Sequence, residues 1–522
     1  MSIRHKGRVA VGIVVAVLAT LMPAGIGFNA AGAQTPGGIG VWETTDSLSV
    51  PRYDHTTTLL ATGDVLAAAG RALVPDQPVT LLRSAELYDP VLETWSPTGD
   101  LQDARWSHTA TLLQDGRVLV AGGFGDPYLA GSNSQPVLAS GEIYDPQTGT
   151  WTPTGSLNTR RALHTATLLV DGRVLVTGGR TCNEPPPTAC NFTFRTDSAE
   201  IYDPATGTWS PTGPLSIPRH TTSAVRLDTG EVLIPAGFTP AGNGNTADRY
   251  DPAATASTVT GPLNVGRARS GSMLLDNGQV LVAAGFGGGA SSELYNPATD
   301  TWTRTGDVAT ASRFNYFYTV LPDGRALIAG GAVPSQGVVD TAEIYDPATG
   351  TWSPADDMNE PHGSSSSLSN SQQAVVLSSE PWTFEADSAV CGTNCGKVLV
   401  VGNSVTGSAE LFDPAISLEI NDTVRSDGTR GQVKGSVTCP AGEVFLVEVE
   451  LTQGEATGRG TARGTCTGSP QEYTVNFTTG GGAQLSDGPA EACVTLSTAP
   501  RRARTTTHQA EVCEEVTVSI SG

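Results

Sequence analysis

The chain has 522 residues, of which 61 are glycine and 34 proline, and no stretch beyond the N-terminus keeps a helical apolar period. That composition excludes a helical protein and points to turn-rich, all-β structure. A formal charge of −22 argues against nucleic-acid or anionic-lipid partners, because such a surface repels phosphate.

Residues 1–33 read as a secretory leader. Arg4, Lys6 and Arg8 form a basic head, Val9 to Met22 an apolar stretch, and Ala31-Gly32-Ala33 a small-residue cleavage site. The expected mature chain starts at Gln34 and is secreted. No later apolar run is long enough to span a membrane, so none is expected to. Basic residues are almost all arginine, which fits a GC-rich, bacterial source.

An acid-x-aromatic-acid-Pro motif then recurs seven times, starting at Glu86, Glu142, Glu200, Asp248, Glu293, Glu343 and Glu410, with spacings from 45 to 67 residues. A fixed motif at variable spacing predicts constant strands joined by loops of differing length. The second unit resolves into four strands. Ser107 to Gln114 is followed by Asp115-Gly116, expected as a type I′ turn, and then by Arg117 to Gly123. The third strand ends in Ile143-Tyr144-Asp145-Pro146, and the fourth carries Trp151. Ala121-Gly122-Gly123 supplies small residues where backbones approach closely.

A glycine pair, a spaced Tyr and a Trp recurring in register over residues 40–414 resemble the Kelch repeat, and the resemblance implies a β-propeller. The ends decide the blade count. The Trp register runs Trp95, Trp151, Trp209, Ser257, Trp302 and Trp352, with no Trp after Asp413-Pro414 and an orphan Trp42 before the first unit. The N-terminal strand is therefore expected to complete a seventh blade and close the ring. The expected domains are residues 34–414 for this propeller and 415–522 for a small disulfide-bearing β-domain. Stretches such as Tyr473 to Phe477 alternate there as in a small sandwich.

The eight cysteines suit an oxidising compartment. Cys439, Cys466, Cys493 and Cys513 allow three pairings, of which Cys439–Cys466 and Cys493–Cys513 close the shortest loops. Cys182 with Cys190, and Cys391 with Cys395, flank loops of their own. No further ligands accompany the last two to make a zinc site.

Ten residues after each Trp stand Arg52, Arg105, Arg161, Arg219 and Arg267. The sixth blade offers Arg313 beside that position, and the seventh has His362. Such a ring can bind a carboxylate, sulfate or acidic peptide through forked hydrogen bonds. The alternative is that a residue repeated in every blade serves the blade. His55, His108 and His164, three positions further on, fall under the same alternative. Residues that break the repeat are His220 beside Arg219, His362 with the serine run after it, and the Tyr316-Phe317-Tyr318 cluster. That cluster either stacks on sugar or fills a blade interface.

The layout is also similar to galactose oxidase and related copper-radical oxidases. That resemblance would imply a Tyr–Cys cross-link, a Tyr-His pair and a His from the C-terminal domain. Pro361-His362 stands where the pair is expected, the propeller cysteines sit paired in loops, and His508 is the sole His beyond the propeller. The ligand set is not carried over, and no metal or other cofactor is expected. The reading is a secreted, monomeric binding protein rather than an enzyme, whose partner is an extracellular glycan or a protein with acidic groups. The alternatives are a carbohydrate-active oxidase, hydrolase or lyase, and a structural spacer.

Overall fold

In the computed structural model the described residues are 40–363, 372–377, 396–414 and 417–520, less short stretches at 74–78, 127–135, 183–193, 403–405, 421–422, 440–442, 455, 468–470, 481–483 and 501–507. The leader, Cys190, Cys391, Cys395 and the serine run from 364 fall outside them.

Each blade begins from a local turn chemistry. In the second, Thr109–Leu112 pairs with Val118–Ala121, which pairs with Gly141–Asp145, which pairs with Thr150–Thr154. The first hairpin is not the type I′ turn that Asp-Gly suggests. Gly116 has φ +85° but Asp115 does not share the left-handed conformation. Leu113 N instead donates to Arg117 O at 2.8 Å, making a three-residue loop with glycine at its left-handed position. The Asp115 carboxylate is freed to accept from the Arg117 backbone N–H and guanidinium. At the far end of the second strand, Gly123 (φ +99°) donates to Arg161 O of the next blade at 2.9 Å. A Cβ there would sit 2.9 Å from Trp106 O, so the clasp between blades requires glycine.

Six further sheets repeat this plan, one of them carrying an extra strand, and the ring closes as the Trp register predicts. Val41–Thr45 is the outer strand of the seventh blade, with Trp42 opposite Phe412 just as Trp151 lies opposite Tyr144. Trp42 packs on Phe412 at 4.9 Å and donates from Nε1 to Asp356 O, while Lys397 clamps Glu43 at 2.8 Å. The seventh blade is also tied to the sixth, because Gln372–Gln373 runs parallel to Phe317–Val320.

Adjacent blades share apolar seams. Leu113, Leu119 and Ile143 of the second blade pack with Val174, Val176 and Tyr202 of the third. The motif tyrosines pin the same seams: Tyr144, Tyr202 and Tyr345 hydroxyls bond Thr98, Thr154 and Thr305 of the preceding blade.

The C-terminal strands are β as their alternation predicts, and they close on themselves. From Thr423–Ser426 to His508–Ile520 seven strands form a ring, sealed where Arg430–Thr438 pairs with Gln471–Thr479. Closure removes the two open edges a sandwich would leave. Cys439 and Cys466 are bonded as expected. Cys493 is also disulfide-bonded, and its cross-strand neighbour in register is Cys513.

Candidate functional site

The arginine ring turns inward. Arg52, Arg105, Arg161, Arg219, Arg267 and Arg313 are fully buried, and each pairs with the first acid of its own blade's motif, Glu86, Glu142, Glu200, Asp248, Glu293 and Glu343. Arg105 also donates to Gly122 O, Ser140 O and Ser140 Oγ. The same carboxylates accept backbone N–H groups from the segment arriving from the preceding blade, such as Gln102 at 2.7 Å and Asp103 at 3.2 Å on Glu142. In the seventh blade His362 takes the arginine's place, with Nε2 3.0 Å from Glu410 and Nδ1 3.3 Å from Gly402 O. The terminal guanidinium nitrogens are thus bonded within each blade. Nε of Arg52, Arg105, Arg219, Arg267 and Arg313 has no hydrogen-bond partner among the described residues, and all seven side chains are buried rather than exposed at the mouth. A buried charge must be paired, and the repeat supplies its own partner.

The histidines three residues on are equally internal. His108 and His164 bond Thr56 and Thr109 of the preceding blade at 3.0 Å. Burial pushes the His55 imidazole down to about 3, with Arg52 adding to the effect, and burial with nearby arginines takes His220 to about 2. His108 and His164 shift the same way, burial being the largest cause. The unfolded chain therefore takes up these protons first as pH falls. The stability held above pH 6.5 declines as pH drops toward the folded values. At pH 5, His55 and His220 each withdraw about 2 kcal/mol. Melting at pH 7 and pH 5 tests this: His55→Leu should show a smaller drop than the native chain, and an equal drop would refute the assignment.

The residues two positions after each ring arginine continue inward of the loops at this end of the channel, and most of them are buried. Asp54, Ser107, Leu163, Thr221, Arg269 and Asn315 all adopt left-handed backbone, with φ between 49° and 56°. Their backbones hand one hydrogen bond from blade to blade, from Ser107 N to Asp54 O through to Asn315 N to Arg269 O. Six non-glycine residues held this way make a rigid rim. Beside it, the residue after each arginine bridges the residue after each glycine pair: Tyr53 with Arg71, Trp106 with Phe124, Ala162 with Arg180, His220 with Phe238, Ala268 with Phe286 and Phe314 with Ala332.

Those bridged positions vary from blade to blade, and they bring aromatic and guanidinium groups together. Arg71 stacks 3.7 Å from the Trp106 ring and pairs with Asp54. Arg269 lies 5.1 to 5.4 Å from the rings of Phe238, Phe286 and Phe314. Arg180 bridges Arg195 in register and directs Nε to His220 Nε2 at 3.5 Å. Among these positions only His220 stands out in the sequence. Arg180, Phe238 and Phe286 each follow a ring arginine by 19 residues, and Phe314 and Arg269 follow one by one and two, but the residue types at these positions change from blade to blade.

The channel below is about 580 Å³, lined by three consecutive residues from each innermost strand, chiefly Thr, Ala, Leu and Val. Among the described residues Arg226 is the one charged lining residue, and it donates to Leu168 O at 3.0 Å. Of the sixth-blade aromatic cluster, only Tyr318 reaches this channel. Phe317 is core, and Tyr316 is an interblade staple, donating to Ala283 O and accepting from Gly271 N.

Seven radial four-stranded units, closed by an N-terminal strand and built on a recurring glycine-pair, Tyr and Trp signature, define a Kelch-type β-propeller. A Kelch motif model matches residues 105–158. Over 150 residues, 28% of this chain, the sequence is 32% identical to an F-box/kelch-repeat protein of Arabidopsis thaliana, and the chain spans about a third (34%) of that relative's length. A solved fungal alcohol oxidase of the AA5 family, in complex with copper, aligns over 92% of this chain and all of its own at TM-score 0.52 and 14% identity, which shows a shared fold. YjhT aligns over 59% of this chain and 98% of its own, at TM-score 0.45 and 17% identity. Among the described residues no three His, Cys, Asp or Glu side chains are grouped to hold a metal, and His362 is buried against Glu410.

Proposed function

We propose that this is a secreted binding protein whose ligand docks on the variable mouth of the propeller, the ligand being an extracellular glycan or a protein with acidic groups. The observation that carries the reading is the contrast between two rings one residue apart in sequence. The repeated arginines are consumed within the blades, whereas the rim beside them differs in every blade and sets arginines among aromatic rings. Aromatic and arginine side chains on a rigid scaffold are the usual anchors of recognition. Among the described residues the channel lining offers mainly threonine and aliphatic groups, with Tyr318 and Arg226 among the exceptions.

Binding of the mature chain to a glycan array and to extracellular proteins, compared with Phe286→Ala, tests the reading. Phe286 is 39% exposed, so its loss should weaken binding at least about tenfold without lowering the melting temperature. Stoichiometric copper with turnover of sugars, or binding indifferent to Phe286→Ala, would overturn it.

A further inference from the structure

One sector of the mouth sets Arg180 and Arg195 side by side. Among the described residues no carboxylate pairs with Arg180 or Arg195, although the chain as a whole is strongly acidic. The two sit side by side because Arg180, two residues before the disulfide-bonded Cys182, bridges both Ala162 and Arg195. Arg269 approaches from the fifth blade, held against Phe238, Phe286 and Phe314.

His220 lies at the centre of this sector and is 2% exposed. Its Nε2 accepts from Arg180 Nε, which leaves the proton of the neutral ring on Nδ1. That Nδ1 is buried with no hydrogen-bond partner, as is Arg195 Nε. His55, His108, His164 and five ring arginines also hold such atoms, but here they lie beside two guanidiniums that pair with no carboxylate among the described residues. Buried donors without acceptors are costly and rare, and like charges brought together without a counter-charge add to that cost. An anion with two acceptor oxygens that reached these groups would relieve both costs. We propose that Arg180, Arg195, Arg269 and His220 form a carboxylate-binding subsite at the channel mouth, and that its ligand is a carboxylated sugar ring of the uronic-acid type.

The aromatic wall selects the sugar. Phe238 and Phe286 stand 5.8 Å apart centre to centre, and Phe286 turns an exposed face outward beside the cationic sector. A pyranose carrying its carboxylate directly on the ring places a flat C–H face on such a wall while the charge reaches the guanidiniums. An acidic peptide carries its charges on flexible, separated side chains and gains less from one concentrated pocket. This proposal rests on reading the mouth as the binding surface.

Titration calorimetry of the mature chain with tri-galacturonate, tri-galactose and sodium sulfate tests it. Tri-galacturonate is expected to bind, with tri-galactose at least about tenfold weaker. Arg195→Gln and Arg180→Gln, both at partly exposed positions, should each cost about tenfold or more while leaving the melting temperature unchanged. Absence of tri-galacturonate binding, or binding equal in Arg195→Gln, overturns the subsite. Sulfate binding as tight as tri-galacturonate reduces it to a general anion site and overturns the sugar assignment. An acidic peptide that binds while tri-galacturonate does not assigns the cluster to another ligand class. If some ligand is lost with Phe286→Ala but kept with Arg195→Gln, the mouth remains the binding surface and only this subsite falls.

Discussion

Arg105→Ala is expected to destabilise the propeller by about 3–5 kcal/mol, the cost of stranding a buried charge. Arg105 is wholly buried and Glu142 nearly so, at 2.8 Å, and the pair has no solvent to fall back on. The effect reaches beyond the pair, because Glu142 also fastens the segment that enters from the first blade through Gln102 N and Asp103 N. Glu142→Leu should therefore be worse than Arg105→Met. It leaves the guanidinium and two backbone donors unsatisfied, whereas the arginine replacement leaves a carboxylate still holding two N–H groups. Urea midpoints followed by tryptophan fluorescence would rank the three variants. A loss below about 1 kcal/mol for Arg105→Ala would show that the ring carries little of the stability.

Trp42→Ala should cost about 3–5 kcal/mol, and deleting residues 40–45 should do more than subtract one strand. The substitution removes an indole packed on Phe412 and bonded to Asp356 O. Deletion unpairs Ala409–Asp413 along its length and opens the ring, converting a closed structure into one with a free β edge. Val41 packs with the C-terminal core, so that core is also expected to loosen. Size-exclusion chromatography and thermal melting of the deletion variant are the checks. A monomer melting at the native temperature would mean that the closing strand is dispensable.

Several features were legible in the sequence because they depend on contacts within one blade. Each motif Tyr faces its Trp across adjacent strands, so a register counted along the chain survives folding, down to Ser257 opposite Tyr250. Trp42 could be assigned to the seventh blade by the same count. Asp115-Gly116 marks the position of the hairpin but not its turn type. Dipeptide identity does not fix loop length when an aspartate side chain can bond its own loop.

The site was less legible. Ten-residue spacing identified the arginines, yet spacing says nothing of where a long side chain turns. Arg105 turns inward because its partner Glu142, on the third strand of the same blade, outcompetes water for a buried guanidinium. The adjacent rim depends on side chains from different blades meeting at one mouth, as Arg269 meets Phe238 and Phe314. Periodicity cannot reveal that, because the functional positions are those where the repeat does not repeat.

The sequence by itself determined the number of blades, the strand register and the closure of the ring, since each follows from short-range pairing and local turn chemistry. Only the tertiary structure decided which of two neighbouring residues faces the core and which faces the mouth. Left-handed backbone at positions such as Leu163 and Arg269, and the blade-to-blade hydrogen bonds that run through them, fix that choice by contacts between blades.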